Sequence, residues 1–210
     1  LSARVHTAEY KAEFLQNVIS ALKIPFASPF DILLAADTDP RAPHWLPNAT
    51  LNIALACFQA PDKKTAISFV DHHQNTIEFT YETLKYESLR IAAAITQAGI
   101  KPNTPIGICM GMTPESVFIY LGVILAGCQV VALADSFACE QIQKRLDITK
   151  CHYVFTAGYI HRGDKHYPLY ERLHSTFATP AFFSFLFFLL LQLFLLPALL
   201  ALPSVLAVLI

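Results

Sequence analysis

The sequence predicts an α/β chain: a parallel sheet layer in β-α-β-α-β order, with an N-terminal helical segment before it and an apolar C-terminal tail after it. Three observations predict this. Residues 105–110, 129–134 and 152–156 are short apolar runs without polar alternation, as expected of strands buried on both faces. Helix-type segments with short connections separate them, and strands alternating with helices form parallel sheets covered on both sides. No Asp, Glu, Lys or Arg occurs after Arg172, and 27 of the last 34 residues are apolar, so the tail differs in composition from the body.

Charge and cysteine content narrow the function classes. Fifteen Lys and Arg against 16 Asp and Glu give a net charge of −1, which excludes a strongly basic nucleic-acid binder, and no nucleic-acid partner is expected. The ordinary apolar content of residues 1–176 excludes an acidic disordered chain. Cys57, Cys109, Cys128, Cys139 and Cys151 are odd in number and form no C-x-x-C pair. They read as reduced thiols of an intracellular protein, and no metal ligand is assigned. Leu1 opens the chain without an initiator Met or a leader, so a piece of a longer product is expected.

The elements follow in order. Residues 7–22 place Tyr10, Phe14, Val18 and Leu22 on one helical stripe, ended by Pro25 and Pro29. A proline-rich connector through Pro40 and Pro43 leads to Trp45. Residues 51–58 read as a short amphipathic helix stopped by Pro61. Residues 65–70 and 76–81 alternate around Asp71, His72, His73, Gln74 and Asn75, the signature of a β-hairpin. Thr80 caps a helix with Leu84, Ile91, Ala92 and Ile95 on its apolar face and a stop at Gly99 and Pro102. After the first buried strand, Thr113, Pro114 and Glu115 are a cap, an N1 proline and a first-turn acid for a helix reaching Leu125. Asp135 and Ser136 open a further helix through Leu146, and the third strand follows.

Parallel sheets of this kind often bind nucleotides beyond the strand C-termini, yet no G-x-G-x-x-G, no G-x-x-x-x-G-K-[ST] and no G-x-S-x-G is present. His72 and His73 read as solvated turn histidines rather than a metal pair, because adjacent strand residues point to opposite faces. Arg162, Gly163, Asp164 and Lys165 read as a charged loop after the third strand, where two cations could also hold a phosphate. No catalytic residue is assigned.

Several strings in the same order resemble one family. His44-Trp45-Leu46-Pro47-x-Ala49-x-Leu51-Asn52-Ile53 resembles the W-x-P-x-x-x-L-N-[IV] string of acetyl-CoA synthetase-like adenylate-forming enzymes. Thr80-Tyr81-x-x-Leu84 resembles T-Y-x-E-L, with Thr83 where the acid usually stands. Ile106-Gly107-Ile108-x-Met110-x-Met112-Thr113-x-Glu115 resembles I-x-I-x-M-P-M-x-x-E, with Gly111 in place of proline. Asp135-Ser136-Phe137-Ala138, Lys144-Arg145-Leu146 and Arg162-Gly163-Asp164-Lys165-x-x-Pro168-Leu169 continue the match across residues 8–173, closest in flavour to the plant acyl-activating branch.

The resemblance implies an incomplete N-terminal part of the large adenylate-forming domain. Expected boundaries are 1–43 for the helix and connector, 44–176 for the partial domain and 177–210 for the tail. It implies an AMP-forming acyl-CoA ligase that uses ATP, Mg2+, CoA and a small carboxylic acid. A carboxylate is a poor acyl donor because its leaving group would be oxide; adenylation supplies a better one, and the CoA thiol then displaces AMP. The family's phosphate loop, aromatic-Gly-x-Thr-Glu strand end, ribose-binding Asp, hinge and lid lysine find no match in residues 1–210, so the chain is expected to be inactive by itself. The resemblance places Arg162 and Lys165 against the nucleotide end of CoA, although Asp164 adds an opposing charge and Ser136 replaces a usual glycine. It implies a cytoplasmic or peroxisomal location.

The tail admits three readings. Residues 181–196 would span about 24 Å as a helix, short of a bilayer core of about 30 Å, and Pro197 and Pro203 interrupt any extension. A membrane anchor would make the chain a tail-anchored, membrane-associated, non-catalytic binding module. A core helix conflicts with an apolar surface on every face. Phe and Leu fill 15 of the 19 places from 182 to 200, as expected if a pyrimidine-rich intron were translated. Either way, open sheet edges beside an apolar tail predict self-association.

Overall fold

A computed structural model describes residues 8–35, 41–162, 165–176 and 205–209. The chain divides into two compact units, residues 1–57 and 58–210.

In the first unit, α1 (Ala8–Leu22) forms where the four-residue step predicts a helix. Its stripe is not the buried face, however: Tyr10, Phe14 and Leu22 are exposed, and Ile19 is the buried residue. Four-residue steps drift around a helix with 3.6 residues per turn, so a stripe alone does not identify which side is covered. Short strands β1 (Phe26–Ser28) and β2 (Thr50–Leu51) pair antiparallel. Trp45 is held to Leu34 by an isolated antiparallel bridge, with the Leu46 amide donating to the Leu33 carbonyl at 2.9 Å. The helix predicted over 51–58 is shorter: α2 (Ile53–Ala56) starts after Asn52, whose side chain accepts from the Ala54 amide at 3.1 Å. Pairing of Leu51 with Phe26 takes the first residues of that prediction into a strand.

The second unit begins with the predicted hairpin, β3 (Thr65–Val70) and β4 (Thr76–Thr80). Thr80 then caps α3 (Tyr81–Gln97) by accepting from the Thr83 amide at 3.2 Å. Leu84, Ile91, Ala94 and Ile95 are buried; so is Ser88, whose hydroxyl donates to the Leu84 carbonyl at 2.7 Å. Gly99, at φ +75°, takes the left-handed position after the helix that L side chains avoid.

The sheet core is β5 (Pro105–Cys109), β6 (Gln129–Leu133) and β7 (Tyr153–Ala157). β5 pairs in parallel with both neighbours, Ile106 facing Val130 on one side and Tyr153 on the other. Helix α4 (Pro114–Leu125) joins β5 to β6 behind a reciprocal cap: the Ser116 amide donates to the Thr113 hydroxyl at 3.4 Å and the Thr113 amide to the Ser116 hydroxyl at 3.2 Å. Helix α5 (Cys139–Thr149) joins β6 to β7. It starts three residues later and ends three residues later than predicted, because Asp135 and Ser136 belong to a turn; Lys150 closes it in the left-handed conformation.

Both faces are covered, as the uninterrupted apolar strands predict. On one, Ile91, Ala94 and Ile95 of α3 and Ile119 and Val123 of α4 pack on Ile106, Ile108 and Phe155. On the other, Ile142 and Leu146 of α5 pack with Cys109, Leu133, Cys151, Val154 and Leu173. Leu173 belongs to α6 (Leu169–Thr176), a helix that the sequence reading left out. The Arg172 side chain of that helix donates to the Asp135 carbonyl, tying α6 to the loop after β6.

Most of the apolar tail, residues 177–204 and 210, lies outside the described residues, and with it most of the anchor and intron readings. Val205–Leu209, placed in the anchor by that reading, instead forms β10, antiparallel to β7, with Val205 opposite Ala157 and Leu209 opposite Tyr153. The four-stranded order is β10-β7-β5-β6, so the edge of β7 is paired. Among the described residues no helix is long and apolar enough to cross a membrane.

Candidate functional site

The order of the sheet decides where a crevice opens. From β5 the chain crosses on one face through α4 to β6, then returns on the opposite face through α5 to β7 on the other side of β5. Strands whose connections leave in opposite directions part their loops at their carboxyl ends. A cleft of about 490 Å³ lies at this point.

Its lining comes from four places. Met110, Gly111, Met112 and Thr113 follow β5, with Glu115 in the first turn of α4; Asp135 follows β6. Ala157 ends β7 and leads to Tyr159, Ile160 and His161, while Phe69, Val70, Asp71 and His72 come from the β3–β4 hairpin. No Lys or Arg is among these lining residues. Among the described lining residues, three carboxylates and two imidazoles make the cleft suited to hydrogen-bond donors.

Local bonds set the charges. The Asp71 carboxylate accepts from the Asn75 amide (2.8 Å), the Asn75 side chain (3.1 Å) and the His73 amide (2.8 Å). The hydrogen bonds from Asn75, backbone first, hold its pKa below the usual carboxylate value. Desolvation among packed rings, then the charges of His166, His72 and His73, hold His161 below its ordinary value. Burial pushes the Cys109 thiol up to about 11, so it is no nucleophile near neutral pH.

The predicted charged loop at 162–165 is the end of a hairpin, β8 (Ile160–Arg162) with β9 (Lys165–Tyr167). Arg162 and Lys165 are partners in its register, one residue beyond the cleft-lining His161, and Lys165 is exposed. The structure therefore brings the two candidate CoA contacts together at the cleft's rim without making them part of its lining. His72 and His73 are solvent-exposed as expected, but their rings do not point apart: their centroids are 3.8 Å apart, because the pair lies in the turn, where strand alternation does not apply. Among the described residues no group of three His, Cys, Asp or Glu is placed to hold a metal ion. Asp71, Glu115, Asp135 and His161 were missed as cleft residues. For Asp135 the signal was available, since it directly follows a parallel strand at its ligand-bearing end.

The AMP-binding enzyme family matches residues 55–181. A probable acyl-activating enzyme 18, peroxisomal, from Arabidopsis thaliana is 36% identical over 181 residues, covering 81% of this chain and 24% of that protein. The chain belongs to the AMP-binding enzyme family. Hexanoyl-CoA synthase of Cannabis sativa is 32% identical over 165 residues, covering 74% of this chain and 23% of that enzyme. Among solved structures, an acetoacetyl-CoA synthetase from Streptomyces lividans superposes with a TM-score of 0.74 at 20% identity, over 80% of this chain and 26% of its own. That likeness shows the adenylate-forming fold. The chain spans about a quarter of the length of the curated relatives it matches.

Proposed function

We propose that the complete protein is an AMP-forming acid–thiol ligase, converting ATP, a carboxylic acid and CoA into acyl-CoA, AMP and pyrophosphate. The observation that carries this reading is the similarity to an acyl-activating enzyme over 81% of the chain, on a fold whose cleft lies at the sheet's switch point. The 210-residue chain is inactive by itself in this reading. Holding a triphosphate through adenylation needs fixed cationic and amide donors, and the cleft lining offers carboxylates and imidazoles.

Within that reaction, Arg162 and Lys165 bind phosphate at the nucleotide end of CoA. What supports this is that Arg162 and Lys165 are backbone partners at the end of one hairpin and that Lys165 is open to solvent. The peroxisomal designation of the Arabidopsis relatives supports that compartment for the complete protein.

The test is calorimetric binding of CoA and of 3′-dephospho-CoA to the 210-residue chain and to Arg162→Ala/Lys165→Ala. Loss of the two phosphate contacts should weaken CoA binding by about tenfold, with a smaller effect on the dephospho form. Equal binding of CoA by both chains would remove the assignment of these two residues.

A further inference from the structure

Four of the eight histidines meet at the mouth of the cleft, and the proposed ligase reaction uses none of them. They arrive from two hairpins distant in sequence. His72 and His73 lie in the β3–β4 turn, while His161 and His166 are cross-strand partners in β8–β9. The His72 and His161 rings lie 4.8 Å apart with planes within 2° of parallel. His73 is 3.8 Å from His72, and His166 is 4.2 Å from His161 in an edge-to-face arrangement. Tyr159 closes the group at 5.2 Å from His161 and 5.6 Å from His166. The contact between the hairpins is thus a stack of ionisable rings.

Such a contact depends on protonation. Neutral imidazoles stack as ordinary aromatic rings, whereas two imidazolium ions at this separation repel. The surrounding charges limit how many protons the group accepts. From β8–β9, Arg162 and Lys165 are the next pair along the hairpin and oppose further positive charge. From the β3–β4 turn, Asp71 is the nearby carboxylate, already committed to His73 and Asn75. Glu115 and Asp135 are the other carboxylates lining the cleft. These acids can balance a first proton, but protons on neighbouring rings face each other directly.

We propose that the four-histidine cluster is a proton-operated clasp: neutral, it stacks the β3–β4 turn against the β8–β9 hairpin across the cleft mouth, and protonated, it releases them and opens the cleft. The sign follows from the linkage. A ring held below its ordinary value in the closed form stabilises that form above the ordinary value of 6.5, and the stabilisation is lost as pH falls through the depressed value. Because β8–β9 also carries Arg162 and Lys165, opening moves those cations relative to the cleft.

The experiment is an NMR titration of the histidine-labelled 210-residue chain from about pH 8 to about pH 5. The His72–His161 ring-to-ring Overhauser contact is followed, with the β5 and β7 amides as the reporter of fold. The clasp predicts that this contact is present at the upper end and disappears as His161 takes up its proton, with the sheet amides unchanged. It also predicts that His161 titrates below the ordinary histidine value. A His161 ring that titrates at the ordinary value would overturn the proposal, as would a His72–His161 contact that survives full protonation. Loss of the contact only together with the sheet amides would overturn it too, since that reports unfolding.

Discussion

Gly122 sits in the middle of α4, where a glycine ordinarily weakens a helix, and its replacement by alanine tests how α3 and α4 are packed. A Cβ at Gly122 would lie 2.5 Å from the Ile91 Cβ, 2.6 Å from the Ile91 Cγ2 and 2.9 Å from the Ser88 carbonyl oxygen. In an unobstructed helix, Gly→Ala would stabilise by about 1 kcal/mol. Overpacking a filled core costs about 1–3 kcal/mol. Here the obstacles are a β-carbon and a main-chain oxygen, neither of which can rotate aside, so the upper end of that range applies. The net expectation for Gly122→Ala is a loss of about 2 kcal/mol. Ile91→Ala cannot relieve it, because alanine keeps the Cβ, and truncating a buried isoleucine costs about 2–5 kcal/mol by itself. Urea unfolding of the full chain, followed by far-UV circular dichroism, measures the change. A Gly122→Ala chain as stable as the parent, or more stable, would refute the close helix contact.

Three further outcomes are expected. Gly107→Ala in β5 should also destabilise the chain in urea, since its Cβ would meet the Val154 Cγ2 at 2.9 Å; the obstacle is a side chain, so adding Val154→Ala should recover part of the loss. Thiol titration with a bulky disulfide reagent should modify exposed Cys57 first and Cys109 last, because Cys109 is buried and its thiol is raised to about 11. For Asp71, whose folded pKa lies below the ordinary 3.8, the turn's stabilisation is complete above that value and lost as pH falls through the folded value; the His73 and Asn75 amide shifts should follow that proton below pH 3.8.

The parts of the fold that could be read from the sequence are those in which local chemistry and burial agree. Thr80 and Thr113 are capping residues in sequence and in space, and the apolar runs at β5 and β7 are buried strands; the run at β6 is an edge strand in which only Leu133 is buried. Where a partner strand or helix decides the outcome, the pattern was insufficient. Leu51 pairs with Phe26 and leaves the predicted helix; α6 stayed hidden because its buried face rests on one i, i+4 pair, Leu169 and Leu173, too short a stripe to read; and Val205–Leu209 joins the sheet although its composition suggested a bilayer. The cleft was legible only as a position, the carboxyl ends of parallel strands. Its side chains were not: the histidine cluster joins residues whose proximity depends on two hairpins folding toward one another, and no spacing in the sequence encodes that.

The central proposal is that residues 1–210 carry the sheet and the switch-point cleft of the AMP-binding fold, and that the complete ligase grips ATP with groups outside the described residues. Acid-dependent ATP–pyrophosphate exchange, with acetate and hexanoate as the acids, tests it on the purified 210-residue chain once dispersed sheet amides establish folding. The account predicts no exchange above the protein-free background. Acid-dependent exchange by this chain would contradict it.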